Sequence, residues 1–136
     1  MKRYFPVLLL MLACTSCSPK KDMVPKTAME AGTTFIRASL DGDFKTAEPL
    51  LLNDTANHQL FDSYKDFYSK LPEEKKKKYK EASYNINKFE DINDSTAIIN
   101  YSNSYMNKPM EIKLVRAAKV WTVDFKYTYS GNLPIN

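Results

Sequence analysis

Beyond residue 17 the sequence contains no cysteine, and it holds only two in all, Cys14 and Cys17. A domain built from the remainder has no disulfide to draw on, so its stability must come from a hydrophobic core. There are only three glycines, which leaves no glycine-rich loop to cradle a phosphate. The single histidine, His58, argues against a zinc site and limits every Ser-His-Asp scheme. Charge of one sign is also scarce: the formal net charge is +4, and without Lys2 and Arg3 it is +2. Such a field is too weak to indicate a nucleic-acid partner. The longest apolar run, Val7 to Ala13, falls well short of the ~20 residues that cross a bilayer.

What is present begins with a leader. Met1-Lys2-Arg3 is basic, Tyr4-Phe5-Pro6 follows, and the apolar run passes into small residues around Cys14 and Cys17. A basic start, a short apolar core and small residues after it make a secretory signal peptide, and Pro6 argues against a packed domain helix. An Ala-x-Ala cleavage site fits poorly. Met11-Leu12-Ala13-Cys14 resembles instead the lipobox of bacterial lipoproteins, in which a cysteine sulfur accepts a diacylglycerol, becomes the new N-terminus and is acylated again, with chains such as palmitate. Cys14, preceded by Ala13 and an unbroken apolar approach, suits that role better than Cys17, which has Cys14 at −3 where the pattern wants a bulky aliphatic. Acyl chains add about 0.8 kcal/mol of membrane affinity per buried CH₂. The expected partner is therefore a membrane reached through a lipid anchor, and the expected place is the bacterial cell envelope, periplasmic or surface-facing. On this reading residues 1–17 are signal peptide and lipobox, 18–24 a polar tether, 25–130 one domain and 131–136 a C-terminal tail.

The body reads as helices first and strands after. Pro25 and the pair Thr27 and Glu30 mark a helix start of the capping-box kind. Ala28, Ala31, Gly32, Phe35, Ile36, Ser39 and Leu40 then share one stripe, and Asp41-Gly42-Asp43 ends the helix while Asp43 caps the next. That second helix, Phe44 to about Leu52, should kink or end at Pro49. Asp54-Thr55 opens a third with Leu60, Tyr64, Phe67 and Leu71 on one face. Pro72-Glu73-Glu74 opens a fourth through about Glu81. From Tyr84 the period changes to two, in "YNINKFEDI", "TAIINYSNSY", "MEIKLVRA" and "VWTVDFKYTY". The last places Trp121, Val123, Phe125, Tyr127 and Tyr129 on one face and Thr122, Asp124, Lys126 and Thr128 on the other. The fold class is α+β, N-terminal helices packed on a curved antiparallel sheet of about four strands.

With these elements placed, "AMEAGTTFIRASLDGDFKTAEPLL" resembles the opening of small bacterial lipoproteins of unknown function in the nuclear-transport-factor-2-like (cystatin-like) superfamily, through Phe35, Gly42, Asp43, Phe44, Ala47, Leu50 and Leu51. "MEIKLVRAAKVWTVDFKY" resembles that superfamily's closing hairpin, and the likeness runs from about Val24 to Tyr129. Pro49 in the second helix and Ala117-Ala118-Lys119 in place of a glycine turn depart from the pattern. The resemblance implies a sheet curled around a helix into a cone whose open end can hold a small molecule. It leaves activity open, since relatives include isomerases and dehydratases beside binding domains.

Candidate chemistry is thin. Asp124 is the most tempting general base, yet alternation sets it opposite Trp121 and Phe125. His58 could couple with Asp54 or Asp62, four residues from each. The run Glu73 to Glu81 could touch anionic headgroups, or be a solvated helix held by Glu73–Lys77 and Glu74–Lys78 pairs. Trp121, Phe125, Tyr127 and Tyr101 are the candidate pocket or recognition face, within a set of tyrosines that includes Tyr84, Tyr105 and Tyr129. Asp54-Thr55-Ala56 and Asp94-Ser95-Thr96 resemble an O-glycosylation acceptor pattern of exported proteins, at Thr55 and Ser95, although both also make ordinary caps and turns. No catalytic set, metal or cofactor is expected. The expected function is a non-enzymatic, lipid-anchored domain that binds a small ligand or an envelope protein partner. The alternative is a small-molecule isomerase, dehydratase or hydrolase using the cone pocket.

Overall fold

The first helix, α1 (Ala28–Asp41), starts where the capping pattern sets it. Thr27 Oγ1 accepts the Glu30 amide at 3.1 Å, and the Glu30 carboxylate turns back to accept the Lys26 amide at 2.8 Å. Ala28, Ala31, Gly32, Phe35, Ile36 and Leu40 are buried along the expected stripe, with Ala38 added and Ser39 half-buried. Gly42 closes the helix at φ 69°, its amide donating to the Ala38 and Ser39 carbonyls. Gly32 marks a close approach. A Cβ there would run into Ile99 Cδ1 and lie 3.3 Å from Leu114 Cδ1, so the bare backbone lets the helix sit directly on the sheet. The computed structural model describes residues 24–132, and Cys14 and Cys17 lie outside them, as do residues 133–136.

Asp43 caps α2 (Phe44–Ala47), accepting the Thr46 amide at 3.1 Å. The chain then tightens into a 3₁₀ turn, Glu48–Leu50, at the proline expected to interrupt it. Asp54 caps α3 (Thr55–Ser69). Its fully buried positions are Asn57 and Phe61, neither of them on the expected stripe; Leu60, Tyr64, Phe67 and Leu71 are only half-buried. The inward face is thus rotated toward Phe61, because α3 packs on α5 as well as on the first helices. α4 (Glu73–Glu81) has no fully buried residue. Its C-terminal end is tied to α1 by Arg37, which donates to the carbonyls of Ala82 at 2.8 Å and Lys80 at 3.1 Å and pairs with Asp41 at 2.7 Å. Of the two ion pairs expected on α4, Glu74–Lys78 forms at 3.1 Å. Glu73 takes Lys76 instead, at 3.1 Å, and Lys77 turns to Glu81 at 3.8 Å.

The strands β1 (Tyr84–Asn93), β2 (Thr96–Asn103), β3 (Pro109–Ala117) and β4 (Val120–Asp124) form one curved antiparallel meander in the order β1-β2-β3-β4. The molecule is therefore α+β, helices first and a four-stranded sheet after, as expected. Ala97 and Ile99 from β2, Met110, Ile112 and Leu114 from β3, and Val123 from β4 turn toward the helices. β1 shifts register between Ile86 and Lys88 and again between Asp91 and Asn93. Its outer half is exposed, Phe89 and Ile92 included. No helix among the described residues is long and apolar enough to cross a membrane.

One expectation fails at the C-terminal end. The alternation from Val120 to Tyr129 predicted a single strand, but β4 stops at Asp124 and α5 (Phe125–Asn132) follows. Two contacts decide it. The Leu52 amide donates to Val123 O at 2.8 Å, so the 51–52 segment covers the free edge of β4. The buried Asn57 then accepts the Lys126 amide at 2.8 Å, satisfying a donor that a helix start leaves open. Phe125 and Thr128 are buried at helical spacing, and Tyr127 turns outward. Phe125 and Tyr127 do not share a face.

β3 and β4 are joined by Ala118 and Lys119, whose φ values are 49° and 66°. Positive φ at both positions is type I′ geometry, which favours Asn-Gly because a Cβ crowds the left-handed region. Ala118→Asn combined with Lys119→Gly should therefore raise stability by about 1–2 kcal/mol. The urea midpoint should rise at unchanged slope; an unmoved or lowered midpoint would show that the turn is not strained.

Candidate functional site

α1 reaches its C-terminal half just where β2 turns into β3, and the space between them is not filled. Phe35, Ile36, Ser39 and Leu40 come from α1; Tyr64, Phe67 and Tyr68 come from α3, with Leu71 beyond it. The lining continues with Tyr79 of α4, Tyr101 and Asn103 of β2, Met106 of the turn after it, Met110 of β3, and Phe125 and Thr128 of α5. The space is about 50 Å³, room for a few waters, and it is partly open to solvent.

The wall is aromatic and uncharged. Phe35 and Phe125 of the wall pack on Phe61 behind them, the three centroids 5.2–6.0 Å apart, and Tyr64 lies 5.9 Å from Phe125. Toward the rim Tyr79 meets Tyr105 edge-on at 4.6 Å and Tyr68 at 6.5 Å. Burial pushes the Tyr64 hydroxyl well above its ordinary pKa, and the nearby hydroxyls of Tyr101, Tyr79 and Tyr68 raise it further. Burial likewise pushes Tyr101 up to about 12. Both stay protonated at neutral pH and can only bond as neutral phenols.

Of the expected recognition face, Tyr101 and Phe125 line this cavity, whereas Trp121 is half-buried against the core and does not line it. Tyr127 is 36% exposed on α5 and donates to Glu111 Oε2 at 2.8 Å. The expected four-residue face is therefore two residues. Asp124 keeps the orientation that alternation gave it, away from the cavity. It is nonetheless largely covered, its side chain 13% exposed with Lys113 Nζ at 3.7 Å and Oδ1 without a partner. His58 does not couple with either acid: the Asp54 carboxylate is spent on Asn57, and Asp62 pairs with Lys65 at 2.8 Å. Neither Asp124 nor His58 lines the cavity, so the enzymatic alternative lacks the residues proposed for it. Among the described residues no group of His, Cys, Asp and Glu is placed to hold a metal ion. Thr55 is exposed at the first turn of α3, and Ser95 is exposed in the β1–β2 turn with its amide and hydroxyl both on Asn93 Oδ1.

Sequence reasoning missed Ser39, Tyr64, Asn103 and Met110 as cavity residues. Tyr64 and Ser39 stood on the apolar stripes of their helices, where burial was legible but an unfilled gap beside them was not.

The molecule thus belongs to the class of helix-covered antiparallel meanders with an apolar cavity at one end of the sheet. Compared with protein-family models, curated proteins and solved structures, the chain matches none.

Proposed function

We propose that this chain is a lipid-anchored protein of the bacterial envelope whose domain, a nuclear-transport-factor-2-like cone, binds a small molecule in the cavity without transforming it. The observation that carries the binding role is a partly enclosed, uncharged, aromatic-rich space on which no acid–base pair among the described residues converges. Pockets of this composition hold largely apolar ligands by burial and orient them with a few polar groups. The lipobox at Met11 to Cys14 supports the anchor, and the element order from α1 to β4 supports the cone.

Two measurements test the reading. Replacing Cys14 and Cys17 together by serine should move the full chain from the membrane pellet to the soluble fraction of a bacterial lysate; full retention in the pellet would sink the anchor. For the cavity, ethylbenzene should raise the melting temperature of the full-length Cys14→Ser, Cys17→Ser chain by several degrees at ten times its Kd, since a ligand bound only to the folded state stabilises it. Ser39→Leu, which fills the space, should abolish the shift. An unshifted melting curve of the parent chain would remove the binding role.

A further inference from the structure

The cavity carries more hydrogen-bond donors than partners for them. Ser39 Oγ is buried and has no partner. Neither the Tyr64 nor the Tyr101 hydroxyl bonds to another described residue, although both line the same space. Asn103 uses its Oδ1 on the Tyr105 and Met106 amides, at 3.1 and 2.8 Å, which leaves its amide NH₂ as the uncommitted part. For the buried Ser39 hydroxyl an unmade bond is a net cost, while the two tyrosine hydroxyls face the space itself. At Asn57, by contrast, side-chain donor and acceptor are both used.

The character of these groups narrows what would complete them. A phenol is a better donor than acceptor, and a site of phenols and a serine therefore favours an oxygen lone pair over another hydroxyl. No charged side chain among the described residues lines the wall, so an anion or cation would shed its hydration without compensation there. The inner room suits a group of a few heavy atoms, and the open mouth leaves space for the rest of a small molecule.

We propose that the cavity binds a neutral, largely apolar molecule whose carbonyl oxygen accepts hydrogen bonds from the hydroxyls of Tyr64, Tyr101 and Ser39. The apolar part lies against Phe35, Leu40 and Phe125. This inference rests on the ligand-binding role proposed above and adds the class of ligand.

The test compares acetophenone with ethylbenzene, nearly equal in shape, by equilibrium dialysis against the full-length Cys14→Ser, Cys17→Ser chain. A cavity without spare donors prefers the hydrocarbon, which leaves water more readily. Here acetophenone should bind at least as tightly, and its ¹³C-labelled carbonyl resonance should move downfield of its position in cyclohexane. Tyr64→Phe and Tyr101→Phe, made separately, should each swing the acetophenone-to-ethylbenzene affinity ratio toward the hydrocarbon by about tenfold, the effect of losing a bond of roughly 1.4 kcal/mol. An ethylbenzene preference of tenfold or more in the parent chain would overturn the carbonyl assignment while leaving the cavity's binding role standing. So would a ratio unmoved by both substitutions, or equal affinity for 1-phenylethanol. Failure of all three probes to bind would remove both readings together.

Discussion

Phe61→Ala is expected to destabilise the domain by about 4 kcal/mol, lowering the melting temperature by roughly 15–30 °C. The ring is fully buried and stands at the crossing of four elements. From α3 it touches Phe35 of α1 at 6.0 Å, Phe44 of α2 at 5.8 Å and Phe125 of α5 at 5.2 Å, the last edge-on at 90°. Truncation removes the transfer energy of the ring and leaves a hole whose walls belong to three other helices, which cannot all move in to fill it. Phe61→Leu should cost much less, since it keeps most of the volume. Urea unfolding followed by Trp121 fluorescence reads both. A loss under 1 kcal/mol for the alanine variant would mean that these walls collapse freely and that the aromatic cluster is not the centre of the core.

Asn57→Ala should cost about 3 kcal/mol, a large effect for one exchanged amide. Asn57 is fully buried. Its Nδ2 donates to Asp54 Oδ2 at 2.8 Å and its Oδ1 accepts the Lys126 amide at 2.8 Å. It thereby joins the start of α3 to the start of α5, and its loss leaves the part-buried Lys126 amide unbonded at the point where strand gives way to helix. Asn57→Asp should be worse, because it sets a second carboxylate beside Asp54. The link also has a pH signature. The Asn57 backbone amide, then its side chain, hold the Asp54 carboxyl below its ordinary range. A depressed folded-state value means that the contribution is complete above the unfolded value, about 3.9, and is lost as pH falls through the lower folded one. Asp54→Asn should therefore destabilise the domain at pH 7 by more than at the acid end of the titration, once the parent carboxyl has itself taken up its proton. An equal penalty at both pH values would show that the charge of Asp54 contributes nothing.

The helices were legible because their signals are local. Thr27, Glu30, Gly42, Asp43, Asp54 and Pro49 each act within a turn of where they stand, and the α1 stripe from Ala28 to Leu40 needed only a period. The sheet order followed from short connectors between alternating runs. What sequence could not supply was long-range competition for the backbone. Val120 to Tyr129 alternates well enough for a strand, and the switch at Phe125 depends on an amide caught by Asn57, sixty-nine positions earlier in the chain. The cavity was illegible for a related reason. Tyr64 and Ser39 read as packing residues in their own elements, and although Tyr101 stood among the pocket candidates, only the placement of α1 against the β2–β3 turn shows that the three surround space.

The register shifts in β1 bear on how the molecule behaves when crowded. β1 is an outer strand, and its far side offers backbone groups that a second copy could adopt as a template. The irregularities beside Asn87 and Ile92 break the spacing of those groups, and Lys88, Glu90 and Asp91 place charge along the same stretch. A neighbouring chain laid alongside would find its register interrupted within four or five residues. Packed at high density, these molecules would stay separate bodies rather than knit into a continuous ribbon.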